Sequence, residues 1–305
     1  FVVLAEKLAS AGVVMPDVAL RDDFDVWRAS YDLFTLPMID ALDAEMVVHH
    51  ETQLQLLRQR HHQIRRALWL KIDTGMHRLG FPPEHTSAVH AELETLRGSS
   101  PTVLMSHFAC ADEPQNSMTV QQIRRFDEAV EGIAGPTSLA NSAAVLNFPE
   151  SHRDFIRPGI MLYGISPTRE KSSINLGLQP VMTLQCDLIA VNQCKKGETI
   201  GYGAAYRCPE NMLVGVAAIG YGDGYPRNAK NGAPVLLNGR RASLAGHVSM
   251  DMITIDLRGH ESAKVGDTVT LWGPGLPVEE VAAWCEAIPY QLICGVTARV
   301  KSIPC

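Results

Sequence analysis

A chain of 305 residues is longer than one hydrophobic core usually serves, so the sequence implies two domains. Its 46% apolar and 20% charged residues leave ample material for a core and no long polar tract of the disordered kind. The net charge of −6 excludes the basic footprint of a general nucleic-acid binder, and there is no apolar run of about eighteen residues to span a membrane.

Along the chain, Leu4 to Gly12 reads as the end of a helix with Gly12 as its cap. Residues 46–50 (MVVHH) read as a short buried strand and 51–67 as a helix. Residues 68–73 (LWLKID) are again a strand, 85–97 a helix, 102–108 (TVLMSHF) a strand, 120–133 a helix, and 138–141 (SLAN) reach a strand end. This alternation predicts parallel βα units. If they close into a (β/α)8 barrel, chemistry belongs at the strand ends, where Lys71, His107 and Ser142 fall.

After about Leu176 the rhythm changes to strand-rich segments punctuated by Gly, Pro, Asn and Asp, with a hairpin signal at Asn238-Gly239. We therefore expect a barrel domain over 1–176 and a mostly-β domain over 177–305.

The seven cysteines, Cys110, Cys186, Cys194, Cys208, Cys285, Cys294 and Cys305, are scattered and form no CxxC. They suit a reduced cytoplasmic setting better than a disulfide framework or a zinc site. The pairs His49-His50 and His61-His62 point apart on a strand or helix and have no accompanying ligand cluster, so no metal is expected. The chain starts at Phe1 with no signal-peptide pattern, which suggests a truncated chain whose true start lies upstream.

Several segments together resemble the alanine racemases, fold-type III enzymes that use pyridoxal 5'-phosphate (PLP). They are KIDTGMHRLGF at 71–81, SHFACADE at 106–113, ANSAA at 140–144, RPGIMLYG at 157–164, IGYGAAY at 200–206, GYGDGYPR at 220–227 and GHVSMDM at 246–252. The resemblance runs from about Asp32 to Val300 and implies a TIM-type barrel followed by a β domain. The implied activity interconverts L- and D-alanine for peptidoglycan in a homodimer with shared active sites. Such a reaction needs an electron sink, supplied by the cofactor, and an acid/base group on each face of the substrate.

The resemblance makes Tyr202 one base, reaching in from the partner subunit and supported by His107 and Arg157. A phenol titrates near 10, and cationic neighbours favour its ionised form. Arg157 would face the cofactor's ring nitrogen. Ser142, with Asn141 and the backbone of Gly159 and Ile160, would hold its phosphate, although a serine there also suits a helix cap. Arg78 would approach the cofactor oxygen and the substrate carboxylate, steadied by Lys71 if that lysine becomes a carbamate. Tyr221, Met250 and Asp251 would come from the partner subunit to the substrate entrance.

In three places the sequence departs from the family. No VVKANAYGHG-like turn carries a cofactor lysine, so that lysine and the first barrel strand are expected upstream of Phe1. Residues 13–31 do not follow the family pattern. Ala298 stands near where the family has a phosphate-binding tyrosine. The alternatives are a racemase of another small amino acid or an inactive PLP-binding remnant.

Overall fold

The computed structural model describes residues 45–60, 67–96, 100–168 and 170–303. The expected helix end at Gly12, the departure over 13–31 and the pair His61-His62 lie outside the described residues. The chain divides into two compact units between Pro158 and Gly159.

In the first unit, β1 (Met46–Val48), β2 (Leu68–Lys71), β3 (Val103–Met105), β4 (Thr137–Asn141) and β5 (Phe155–Arg157) form one sheet in sequential order. Every neighbouring pair is parallel. The helices α1 (Glu51–Arg60), α2 (Thr86–Leu96), α3 (Met118–Val130) and α4 (Ser142–Asn147) follow β1 to β4 in turn. This is the βα alternation read from the sequence. β5 was not anticipated, because Phe155-Ile156-Arg157 is too short and too exposed to show a period.

The helices face the sheet through regular apolar stripes. α2 buries Val89, Leu93 and Leu96, and α3 buries Gln122, Ile123 and Phe126, each set at helical spacing. They close on Leu70, Ile72, Leu104 and Leu139 from the strands. His49 and His50 help to start α1: the Gln53 side-chain oxygen accepts from both backbone N–H groups, and the His50 ring contacts Thr52.

In the second unit, β6 (Leu184–Cys194), β9 (Met212–Ala217), β10 (Pro234–Leu237), β11 (Arg240–Leu244), β12 (Ile253–Asp256) and β13 (Thr268–Trp272) close into an antiparallel barrel in the order β10-β11-β12-β9-β6-β13. A small hairpin of β7 (Thr199–Ile200) and β8 (Tyr206–Arg207) stands beside it. Asn238 and Gly239 both have positive φ, +48° and +80°, the backbone that a two-residue hairpin turn between β10 and β11 demands. Tyr225 stacks on Trp272 in the core, with ring centroids 6.3 Å apart. The unit is completed by α5 (Val278–Trp284) and α6 (Pro289–Gly295). No helix among the described residues is long and apolar enough to cross a membrane.

Phe126 is fully buried where α3 meets the sheet. Replacing it by Ala removes a ring that nothing nearby can replace. The expected loss is about 3–5 kcal/mol, read as a lower urea midpoint.

Candidate active site

The first unit gathers its functional side chains at the carboxyl ends of its strands. Lys71 ends β2, His107 follows β3, Asn141 ends β4 and Arg157 ends β5. Arg157 is held by neutral acceptors: it donates to Ser138 Oγ and Ser106 O, both at 2.5 Å, and to Leu139 O at 3.2 Å. No carboxylate among the described residues pairs with it. Burial lowers its pKa to about 10, so it stays protonated at neutral pH.

That charge governs its neighbours. His107 is pushed down to about 4, first by burial and then by Arg157, Lys71 and Arg78, so its ring is neutral near pH 7. The Lys71 ammonium is disfavoured by burial first and by Arg78 and Arg157 next, with Asp73 opposing. The result is a cluster of positive charge, offset only by Asp73 among the described residues, that suits an anionic ligand.

Arg78 is exposed on a loop that closes on itself. The Asp73 carboxylate accepts from Gly75 N–H and His77 N–H, and Phe81 exchanges backbone hydrogen bonds with Lys71 and Asp73. Gly80 has φ +133°, and a Cβ there would lie 2.7 Å from Asp73 N, so the close return requires glycine. Gln122 pins the next strand end: its amide donates to His107 O at 2.9 Å and accepts from Ala109 N–H. Thr74 and Ser106 bond each other beneath the loop.

Sequence reading missed Ser106, Gln122 and Ser138. Their signal was weak: polar residues at buried positions of otherwise apolar segments. The cap of α4 is Asn141, whose side chain accepts from Ala144 N–H at 3.0 Å, while Ser142 is the first helical residue and is buried.

The second unit carries the other candidates on turns. Tyr202 is 71% exposed. It sits between Gly201 and Gly203, at φ +72° and +69°, and Ala204 at +52° follows. It is not a packed strand aromatic. Tyr206 Oη, just beyond, donates to Asp256 Oδ2 at 3.0 Å. Tyr221 N–H donates to Ser249 O and Gly222 N–H to Met250 O, joining the GYGDGY turn to the 246–252 loop. Arg227 lies 6.0 Å over the Tyr221 ring. Asp251 is engaged by Arg299 at 2.6 Å.

Ile160 N–H donates to Tyr290 Oη at 3.1 Å, and a Cβ on Gly159 would come within 3.1 Å of that same oxygen. The glycine therefore leaves a cradle that admits one oxygen against the amide. Within the first unit, the strand-end cations Arg157, held by neutral acceptors, and Lys71 fit an anionic group such as a phosphorylated cofactor. Sequence reading did not single out Tyr290.

Two family models match the chain: "Alanine racemase, N-terminal domain" over residues 17–167 and "Alanine racemase, C-terminal domain" over 181–304. An alanine racemase of Nitrosococcus oceani is 52% identical over 259 residues, covering 84% of this chain and 72% of the relative. One from Vibrio cholerae is 46% identical over 298 residues, covering 97% and 81%. The crystal structure of the biosynthetic alanine racemase of Pseudomonas aeruginosa superposes with a TM-score of 0.83 at 45% identity, covering 87% of this chain and 74% of that one.

The neutral His107 has a pH signature. The unfolded chain takes up a proton near 6.5, whereas the folded chain resists until about 4. Stability is complete above about 6.5 and falls as the pH drops toward about 4. His107→Gln is expected to flatten this fall in thermal midpoint. The slope due to His49, also depressed by burial first, remains.

Proposed function

This chain belongs to the alanine racemase family, and we propose that it interconverts L- and D-alanine with PLP by a two-base mechanism in which Tyr202 serves one face. Bound PLP would supply the electron sink that makes the substrate's α-proton removable. The chain's own residues then do the rest. Arg157 would face the cofactor's ring nitrogen and donate to it. Ser142, set at the helix start by the Asn141 cap, and the Gly159–Ile160 backbone would hold the phosphate. Arg78 faces the substrate carboxylate.

We place the assembled site in a cytoplasmic homodimer supplying D-alanine for the cell wall. Tyr202, Tyr221, Met250 and Asp251 of one subunit face Arg78, His107, Ser142 and Arg157 of the partner subunit. The neutral His107 ring hydrogen-bonds the Tyr202 hydroxyl, and Arg157 stands behind His107. The observation that carries this reading is the 71% exposed Tyr202 on its glycine-flanked turn, a tyrosine with little packing to do.

Lys71 completes the arrangement as a carbamate. Burial and two arginines disfavour its ammonium and raise the share of free amine. That amine adds CO2 and releases a proton, and the carboxylate formed pairs with Arg78.

In the holoenzyme, Tyr202→Phe is expected to lower kcat/KM by about 10²- to 10⁴-fold. The loss is equal for both enantiomers, because the equilibrium constant of a racemisation is unity. A rate like the parent's removes Tyr202 from the chemistry. Intact mass in bicarbonate should show one added CO2 that Lys71→Arg lacks; no gain rejects the carbamate.

A further inference from the structure

The turn that carries Tyr202 has little structure of its own. Gly201, Gly203 and Ala204 all take positive φ, and within the turn one backbone bond, Ala204 N–H to Gly201 O at 3.2 Å, spans it. The pairing of β7 with β8 holds its two ends, and its tip is tied from outside. The side chain that does so is Asn231, which the sequence did not single out. Its Nδ2 donates to Ala205 O at 2.9 Å, and its Oδ1 accepts from Gly246 N–H at 2.5 Å. Gly246 offers a donor and Ala205 an acceptor, so only one orientation of the carboxamide satisfies both.

Asn231 is itself well anchored. Lys230 N–H donates to Trp284 O, Gly232 N–H to Leu244 O and Ala233 N–H to Lys230 O. The Lys230 ammonium also pairs with Glu286. On the far side, Gly246 at φ +104° packs so closely that a Cβ would lie 3.3 Å from Ile200 O. From Gly246 the chain runs into the 246–252 loop, tied to the Tyr221 turn through Ser249 O and Met250 O.

We propose that Asn231 is a positioning residue for Tyr202, one carboxamide that clamps the Tyr202 turn to the loop bearing Met250. The inference rests on the reading of Tyr202 as a base. Asn231 is exposed, so its bonds add little to global stability, yet a displacement of about 1 Å at a proton-transferring group costs on the order of 10²-fold in rate.

The test uses Asn231→Asp, which keeps the acceptor for Gly246 and sets a carboxylate against Ala205 O, and Asn231→Ala, which removes both bonds. Both should speed amide hydrogen exchange over residues 201–205 with little change in thermal midpoint. In the holoenzyme, kcat should fall about 10- to 100-fold with KM nearly unchanged.

α-Deuterated alanine provides the readout that a merely structural defect would not move. The deuterium of each enantiomer is in flight only on its own face, so the isotope effect should rise for the enantiomer whose proton Tyr202 removes and not for the other. Fewer folded molecules would alter neither isotope effect. Unchanged exchange over 201–205, or isotope effects that stay put while turnover falls, overturns the proposal. A Tyr202→Phe enzyme with the parent's turnover overturns the base reading and this inference with it. Altered exchange in the Asn231 variants would then still report the clamp as structural.

Discussion

A half-buried guanidinium held by neutral acceptors is the constraint around which the first unit is organised. Taking an ion out of water costs several kcal/mol. Arg157 recovers part of this through bonds to Ser138, Ser106 and Leu139, charge-assisted contacts worth about 1.5–3 kcal/mol each. None of these cancels the charge. Burial first and this charge second keep His107 neutral, while burial, Arg78 and then Arg157 disfavour the ammonium of Lys71. A site built this way suits an anion, and among the described residues no carboxylate pairs with Arg157.

The strand ends supply the rigidity such a site requires. The parallel sheet is covered by α2 and α3, so the positions of Lys71, His107 and Arg157 follow from core packing. Gln122 transmits that packing directly, reaching from the buried face of α3 to the backbone on either side of Phe108. The 71–81 loop achieves its tight return by backbone bonds and a glycine that no other residue replaces without collision. The second unit works differently. Its functional groups ride on turns of positive φ, and cross-links from side chains such as Asn231 and Tyr206 fix where those turns point.

Each unit's arrangement, taken by itself, suits one part of the proposed reaction. Electrostatic preorganisation needs fixed charges in a dry, packed environment, which strand ends provide. In the proposed dimer a base that serves a neighbouring subunit must project from its own, and a turn presents an aromatic hydroxyl away from its own core. The high exposure of Tyr202, Tyr221 and Met250 is consistent with that demand.

By itself the sequence determined the βα alternation of the first unit, the β character of the second, the Asn238-Gly239 turn and the family. Each is written in local periodicity, turn chemistry or contiguous motifs. Lys71, His107 and Ser142 were legible as strand-end residues for the same reason. Only the tertiary structure decided that β6 and β13 close a barrel, that Asn141 and not Ser142 caps α4, that Ser106 and Ser138 accept from Arg157, that Gln122 holds the backbone beside His107, and that Asn231 bonds the Tyr202 turn and Tyr290 bonds Ile160. These depend on contacts between residues distant in sequence, such as Arg157 with Ser106 or Ile160 with Tyr290, and a hydrogen bond across such separations leaves no periodic trace in the chain.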